Sequence, residues 1–329
     1  MAQNGRPAQS HWRHLAAFDI IIGTVRHCCQ ALERTSCSPG QARRRPGEAA
    51  RGSVGFELLS SSRNDVIEHI EGKPMTAVTH EIDGRVGVVT LAKPPHNLLD
   101  DALIDDLVAA YGTVIADGCR AILLRSSQRH FCAGAEMASW DTTTRIHTDQ
   151  AKLERVLQAL EDAPVPTVAA LNGGVLGGGL EIALTCDMII AADTAFLGQV
   201  EVAVGLLPLL GGTQRLAQRA GVARAKEIAM LGRRHTPHAF ERWGIINLVV
   251  PESELASASM AWAQQLAAGP TQVIKGIKMQ ANLEARGGVA AADARQTEIN
   301  NMIWSAKDRQ RGVDAFFATG PATAVFQGD

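Results

Sequence analysis

Two glutamates in apolar surroundings are the strongest candidates for proton-transfer chemistry in this sequence. Glu181 follows a run of glycines and falls in the first turn of a predicted helix, whereas Glu201 lies in the largely apolar segment 196–210. Burial raises the pKa of a carboxylic acid towards neutrality, where the group can exchange protons. Taken singly, each has an alternative role: Glu181 as the complement of a helix dipole, and Glu201 as an acid of a surface loop.

Two segments of small residues precede these acids. Residues 131–136 read F-C-A-G-A-E and residues 172–181 read N-G-G-V-L-G-G-G-L-E. Backbone N–H groups at the start of a helix stabilise an anion. The second segment matches neither a dinucleotide-binding fingerprint nor a P-loop, because no ribose-binding acid stands at the expected distance and no G-K-[ST] follows. Instead of binding an anion, the segment 131–136 could be a tight turn before a helix, and the segment 172–181 could be a flexible turn.

The elements that must position these residues alternate along the chain. Short apolar runs predict strands at 86–91, 120–125, 166–171 and 186–192, and helical spacing of apolar residues predicts helices at 99–115 and near 148–160. This β-α-β order implies an α/β architecture with crossover helices. After residue 211 the pattern is mostly helical, with predicted helices at 213–219, 224–231, 253–267, 271–283 and 290–304.

The first 73 residues differ from the rest, with Arg and Ser runs and no sustained period. Three interpretations are open: a disordered extension, an upstream stretch added by a mistaken start with Met75 as the natural first residue, or an Arg-rich transit peptide. We therefore divide the chain into an extension (1–74), a core (75–250) and a helical C-terminal region for closure and assembly (251–329).

Composition excludes several classes of partner. The formal net charge is -2 and aromatic residues make up 4% of the chain, so neither nucleic acid nor an anionic membrane is an expected partner. The six cysteines form no C-x-x-C pair and no metal-ligand spacing with histidine. Reduced thiols, a cytoplasmic location, and no metal or redox cofactor are expected.

Two further blocks follow the segment 172–181, which has the pattern N-G-x-x-L-G-G-G-x-E. They are G-G-T-Q-R-L at 211–216 and D-R-Q-R-G-V-D-A-F at 308–316. In this order and at this spacing, the three blocks resemble the crotonase, or enoyl-CoA hydratase/isomerase, superfamily from about Met75 to the C-terminus. The resemblance implies a spiral of repeated ββα units with two roughly perpendicular sheets and a helical C-terminal region. It also implies homotrimers, often paired into hexamers.

The resemblance also implies a reaction, the hydration of trans-2-enoyl-CoA to 3-hydroxyacyl-CoA as in fatty acid β-oxidation. By motif position, the N–H groups of Ala135 and Gly178 form an oxyanion hole for the thioester oxygen. Glu181 orients and activates the water that attacks C3, and Glu201 gives a proton to C2. Coenzyme A is part of the substrate, and no separate cofactor is implied.

The resemblance also implies which residues bind the substrate. CoA is expected along the loop 94–98 and the segment 133–136. Several residues depart from the family pattern: Glu136 replaces Asp, Val200 replaces Pro, Leu209 and Leu210 replace small residues, Trp140 is bulky and Arg311 replaces an acid. Trp140 and the two leucines leave the preferred chain length open. The predicted substrate-binding residues are His96, Leu98, Ala133, Gly134, Glu136, Trp140, Leu176, Gly177 and Leu206.

Two alternatives to hydration remain. One is an enoyl-CoA isomerase or another acyl-CoA dehydratase of the crotonase type, and the other is a non-catalytic acyl-CoA-binding or RNA-binding member. Retention of both Glu181 and Glu201 argues against an isomerase, which needs one carboxylate, and against a non-catalytic role.

Overall fold

The computed structural model describes residues 76–139, 150–320 and 322–329, with side chains described outside 139 and 150–154. The chain separates into two units, Met1–His69 and Ile70–Asp329, and all described residues belong to the second. The predicted extension 1–74 therefore lies outside the described residues.

In the described part of the chain, eight strands form two sheets. A six-stranded sheet has the order β1-β2-β3-β4-β6-β8, and β5 pairs with β7 in a separate two-stranded sheet. Strands β1 and β2 form an antiparallel hairpin, and every other pairing is parallel. The strands are β1 (Val78–Asp83), β2 (Val86–Leu91), β3 (Ala121–Ser126), β4 (Thr167–Leu171), β5 (Gly174–Leu176), β6 (Met188–Ala192), β7 (Phe196–Gly198) and β8 (Leu248–Val250).

Helices connect and cover the sheets. Helix α1 begins where the Asp100 side chain accepts a hydrogen bond from the Leu103 N–H at 2.9 Å, and its apolar residues are buried at helical spacing. The helices are α1 (Asp101–Ala116), α2 (Gln150–Glu161), α3 (Gly178–Leu184), α4 (Gly212–Ala220), α5 (Val222–Leu231), α6 (Pro237–Arg242), α7 (Leu255–Ala268), α8 (Thr271–Gly287), α9 (Val289–Ala294), α10 (Gln296–Ser305) and α11 (Lys307–Thr319).

The core lies on both faces of the main sheet. One buried cluster packs α1, α3 and neighbouring elements against one set of strand side chains, and a second packs α7 against the alternate set. Because both faces are covered, strands such as β2 are buried at every residue. Within the described part of the chain, no helix is both long and apolar enough to cross a membrane.

The resemblance implies a second sheet, but the residue pattern does not predict its strands. Residues 174–176, within the glycine-rich segment 172–181, form β5, which pairs with β7. A parallel bridge between Cys132 and Val175 extends this pairing to the 131–136 segment. The small sheet thus holds together the segments that precede Glu181 and Glu201.

The predicted single helix at 290–304 is two helices. Arg295 leaves the helical conformation, at φ −100° and ψ 0°, and separates α9 from α10. The helical character of the C-terminal region is otherwise as predicted, from α7 to α11.

Candidate active site

Glu181 lies in the first turn of the short, fully buried helix α3, and is only 2% exposed. Its Oε1 accepts a hydrogen bond from the Gly212 N–H at 2.8 Å. Burial raises the pKa of Glu181 to about 7, and the Glu201 charge acts in the same direction, while Gly212 and Arg215 oppose them. At this pKa Glu181 can exchange a proton near neutral pH, which a surface acid at a helix start would not do.

Glu201 is the first residue of a short 3-10 helix, Glu201–Val204, and is half-buried. Burial raises its pKa as well. With its amide nitrogen turned towards Glu201, the fully buried Gln199 donates to both carboxylate oxygens, at 2.8 and 3.0 Å. A carboxylate held in this way is not a freely mobile acid of a surface loop.

The two carboxylates lie beside consecutive glycines. A methyl group built on Gly177 would lie 3.2 Å from Oε1 of Glu201, and one built on Gly178 would lie 3.9 Å from Oε2 of Glu181. Gly177 has φ +51° and ψ −125°, a conformation that side chains disfavour. Both acids therefore face the same turn between β5 and α3, as their predicted joint role requires.

The predicted oxyanion donors, the N–H groups of Ala135 and Gly178, lie in backbone segments that pair with neighbouring elements. Leu99 and Ala135 form a parallel β-bridge. Its two hydrogen bonds run from the Leu99 N–H to the Gly134 carbonyl, at 2.9 Å, and from the Glu136 N–H to the Leu99 carbonyl, at 2.8 Å. The bridge therefore uses the residues on either side of Ala135 and not the Ala135 N–H itself. Gly178 begins α3, where N–H groups lack intrahelical acceptors. Among the described residues, neither N–H has a hydrogen-bond acceptor.

Pairing with β5 places the segments that carry these two donors side by side. Cys132 N–H donates to the Gly174 carbonyl at 3.3 Å, and Leu176 N–H donates to the Cys132 carbonyl at 3.0 Å. The backbone of 132–135 therefore runs alongside β5 up to the start of α3. Two unpaired donors at the ends of adjacent segments form an arrangement that can bind an oxyanion.

Most of the predicted substrate-binding residues surround this region. The His96 carbonyl accepts from the Ala133 N–H at 3.1 Å, which joins the 94–98 loop to the 133–136 segment. The Leu98 carbonyl accepts from Lys93 Nζ at 3.0 Å, and Leu206 N–H donates to the Glu201 carbonyl at 3.1 Å. Trp140 lies outside the described residues. Leu176, Gly177 and Gly134 are buried, and Glu136 is half-buried.

Sequence reasoning missed two groups that hold the acids. Gln199, two residues before Glu201, and the N–H of Gly212, within the G-G-T-Q-R-L block, contact the carboxylates directly. The motif marked Gly212 as part of a family block but gave no sign of its contact with Glu181, 31 residues earlier. Among the described residues, no group of three or more His, Cys, Asp or Glu side chains could hold a metal ion.

The fold and the glycine-rich helix start define a protein of the crotonase type. The sequence model of the enoyl-CoA hydratase/isomerase family matches residues 81–324, and the chain belongs to this family. A probable enoyl-CoA hydratase of Rhizobium meliloti is 31% identical over 240 residues, covering 72% of this chain and 93% of that protein. A short-chain-enoyl-CoA hydratase of Clostridium acetobutylicum is 30% identical over 241 residues, covering 72% and 92%.

The fold is also similar to solved structures. An enoyl-CoA hydratase subunit I from Geobacillus kaustophilus superposes with a TM-score of 0.71 at 31% identity, covering 77% of this chain and 98% of that one. The predicted family and α/β fold class are thereby confirmed.

Proposed function

We propose that the protein hydrates trans-2-enoyl-CoA to 3-hydroxyacyl-CoA, with Glu181 and Glu201 as its catalytic carboxylates. The observation that supports this most strongly is the pair itself: two acids with raised pKa values, held beside Gly177 and Gly178. A pair of acids in different surroundings can divide the roles of base and acid.

The proposed reaction begins with the thioester oxygen between the N–H groups of Ala135 and Gly178. Ionised Glu181 takes a proton from a water whose oxygen bonds to C3, and the C2=C3 electrons move onto the thioester as an enolate. Glu201 then gives a proton to C2, so the reactive state of the pair has Glu181 ionised and Glu201 protonated. The oxyanion donors stabilise the enolate, and losing one donor of this kind typically costs about 10²–10³ in rate.

The same proposal places CoA along the 94–98 loop and the 133–136 segment. The hydrogen bond between the His96 carbonyl and the Ala133 N–H supports a continuous surface there. His96, Leu98, Ala133, Gly134 and Glu136 would contact the nucleotide and pantetheine. Gly177, Leu176, Leu206 and Trp140 would contact the acyl part, and neither a metal nor a redox cofactor takes part.

Purified protein tested with trans-2-enoyl-CoA thioesters, from short to long acyl chains, decides the reaction. We expect the enoyl-thioester absorbance to fall as 3-hydroxyacyl-CoA forms, with a chelator leaving the rate unchanged. Conversion of 3-enoyl-CoA to 2-enoyl-CoA without hydration would favour the isomerase, and binding without turnover would favour a non-catalytic role.

We also propose that the chain forms homotrimers or hexamers in the cytoplasm. Large apolar side chains are exposed on the C-terminal helices, including Trp304 at 67% and Phe317 at 81%, and such surface is commonly covered by other chains. Sedimentation should show trimer or hexamer, whereas monomer alone at micromolar concentration would contradict the proposed assembly.

A further inference from the structure

An ion-pair cluster lies next to the turn that contacts Glu181. Arg215, in the first turn of α4, donates from Nε and Nη2 to the two carboxylate oxygens of Glu161, at 3.2 and 2.7 Å. Arg286 of α8 contacts the same carboxylate at 3.0 Å and Asp162 at 2.7 Å. The side chains of Arg215 and Glu161 are only 12% and 20% exposed. Such bidentate, poorly solvated pairs fix geometry better than surface pairs do.

Arg215 also contacts the backbone of residues 210–212. Its Nη1 donates to the Leu210 and Gly211 carbonyls, at 3.4 Å each. Gly211 has φ +79°, and the guanidinium fills the space that a side chain at this position would need. The next residue, Gly212, provides the N–H that binds Glu181 Oε1. Arg215 therefore holds the peptide unit that contains this N–H and the peptide unit before it.

We infer that Arg215, fixed in turn by Glu161, is a positioning residue for Glu181. It holds the 210–212 turn so that the Gly212 N–H binds one oxygen of the Glu181 carboxylate and leaves the other for the reacting water. This inference rests on the proposed hydration, for which Glu181 is the base.

The charges that act on Glu181 give the inference a measurable consequence. Burial and Glu201 raise the pKa of Glu181, whereas Arg215 lowers it. Removing the Arg215 charge should raise this pKa further, because one opposing positive charge is lost. The base would then be protonated up to a higher pH, and the acid limb of the pH–rate profile should move in the same direction.

The test compares Arg215→Met, Arg215→Lys and Glu161→Gln in the full chain, with Arg295→Met as the control because Arg295 pairs with Glu298 on the surface. Hydration is measured as kcat and KM against pH. The Glu181 carboxyl is titrated by carbon-13 NMR, with Glu181→Gln to assign its signal. Thermal unfolding monitors stability.

For Arg215→Met we expect kcat to fall about 10- to 100-fold, the scale of a misplaced catalytic group, with KM changed far less. The acid limb and the NMR pKa should both move to higher pH. Arg215→Lys should restore the pKa but not the full kcat, because it keeps the charge and loses the fork-like geometry. Arg295→Met should match the wild type.

A folded Arg215→Met protein with wild-type kcat, pH profile and NMR pKa would overturn the inference. If Arg215→Met does not fold, Arg215→Lys and Glu161→Gln take its place in the test. A wild-type kcat in both of these variants would also overturn the inference. If the wild type hydrates no enoyl-CoA, the proposed function fails, while the NMR titration still decides whether Arg215 acts on Glu181.

Discussion

Burial of the Glu181 carboxyl is expected to lower the stability of the fold at neutral pH. Its pKa rises from an ordinary value of 4.5 to about 7 in the folded protein. A proton is therefore held more tightly in the folded state, and stability is full below about pH 4.5 and declines as pH rises towards 7. A shift of this size corresponds to about 3 kcal/mol. The group best suited to proton transfer thus destabilises the fold at neutral pH.

We expect Glu181→Gln to stabilise the protein at pH 8, by up to about 3 kcal/mol. Gln has no charge to bury, and its amide oxygen can still accept the Gly212 N–H. Urea unfolding at pH 5 and pH 8 checks this, with the difference between variant and wild type expected to shrink at pH 5. If the variant and the wild type had equal free energies of unfolding at pH 8 as well as at pH 5, the raised pKa of Glu181 would be contradicted.

At the scale of elements, the joint between β5 and α3 determines the position of the acids. Gly177 forms this joint, with positive φ and with Glu201 Oε1 3.2 Å from a methyl group built on it. Gly84, between β1 and β2, also has positive φ, at +62°, but nothing lies within 4 Å of a methyl group built there. Substitutions at the two glycines therefore distinguish the effect of backbone strain, which both share, from the effect of contact with Glu201, which occurs only at Gly177.

We expect both Gly177→Ala and Gly84→Ala to lose about 1–2 kcal/mol of stability or more, because both force a side chain into a positive-φ conformation. Only Gly177→Ala should also lose hydration activity, since its methyl group would displace Glu201. Urea unfolding and kcat are measured for each. Full activity in a folded Gly177→Ala protein would show that this contact does not position Glu201.

Elements with a sustained apolar pattern could be predicted from sequence, whereas β1, which has one buried residue, and the three-residue strands could not. Strand β2 has the predicted bounds, and α1 differs by a residue or two at each end, because repeated apolar spacing marks such segments. Strands β5, β7 and β8 have three residues each, too few to show a period, and depend on pairing with distant residues. Glu181 and Glu201 could be predicted as candidate residues from the motifs. Their contacts with Gly212 and Gln199 could not, because these contacts depend on the folded arrangement of the chain.

At the scale of the whole molecule, residues 326–329 are tied to helix α11 through Asp308 and to the core through Arg85 and Arg120. This side chain is 1% exposed and accepts the N–H groups of Gln327 and Gly328, at 2.8 and 2.6 Å. Arg85 and Arg120 donate to the Phe326 carbonyl. Burial acts to raise the pKa of Asp308, but these N–H groups and Arg311 bring it below its usual value.

We expect Asp308→Asn to lower the free energy of unfolding by about 1–3 kcal/mol at neutral pH, because charged hydrogen bonds to two N–H groups are weakened. The stabilisation from a lowered pKa is present above the ordinary value of 3.8 and is lost as pH falls below it. The variant and the wild type should therefore converge in acid. Glu298→Gln, in a surface pair, is the control. No loss at pH 7 would contradict the anchoring role.

The most direct test of the two-carboxylate hydratase is kcat for Glu181→Gln, Glu201→Gln and the double variant, with acyl-CoA binding measured alongside. Each single change should cost several powers of ten, and the double variant should be little worse than the worse single one, because both acids serve one water addition. Binding should fall far less, since the N–H groups of Ala135 and Gly178 remain. A single variant that kept more than about a tenth of kcat, a loss below about 1.4 kcal/mol, would contradict the account.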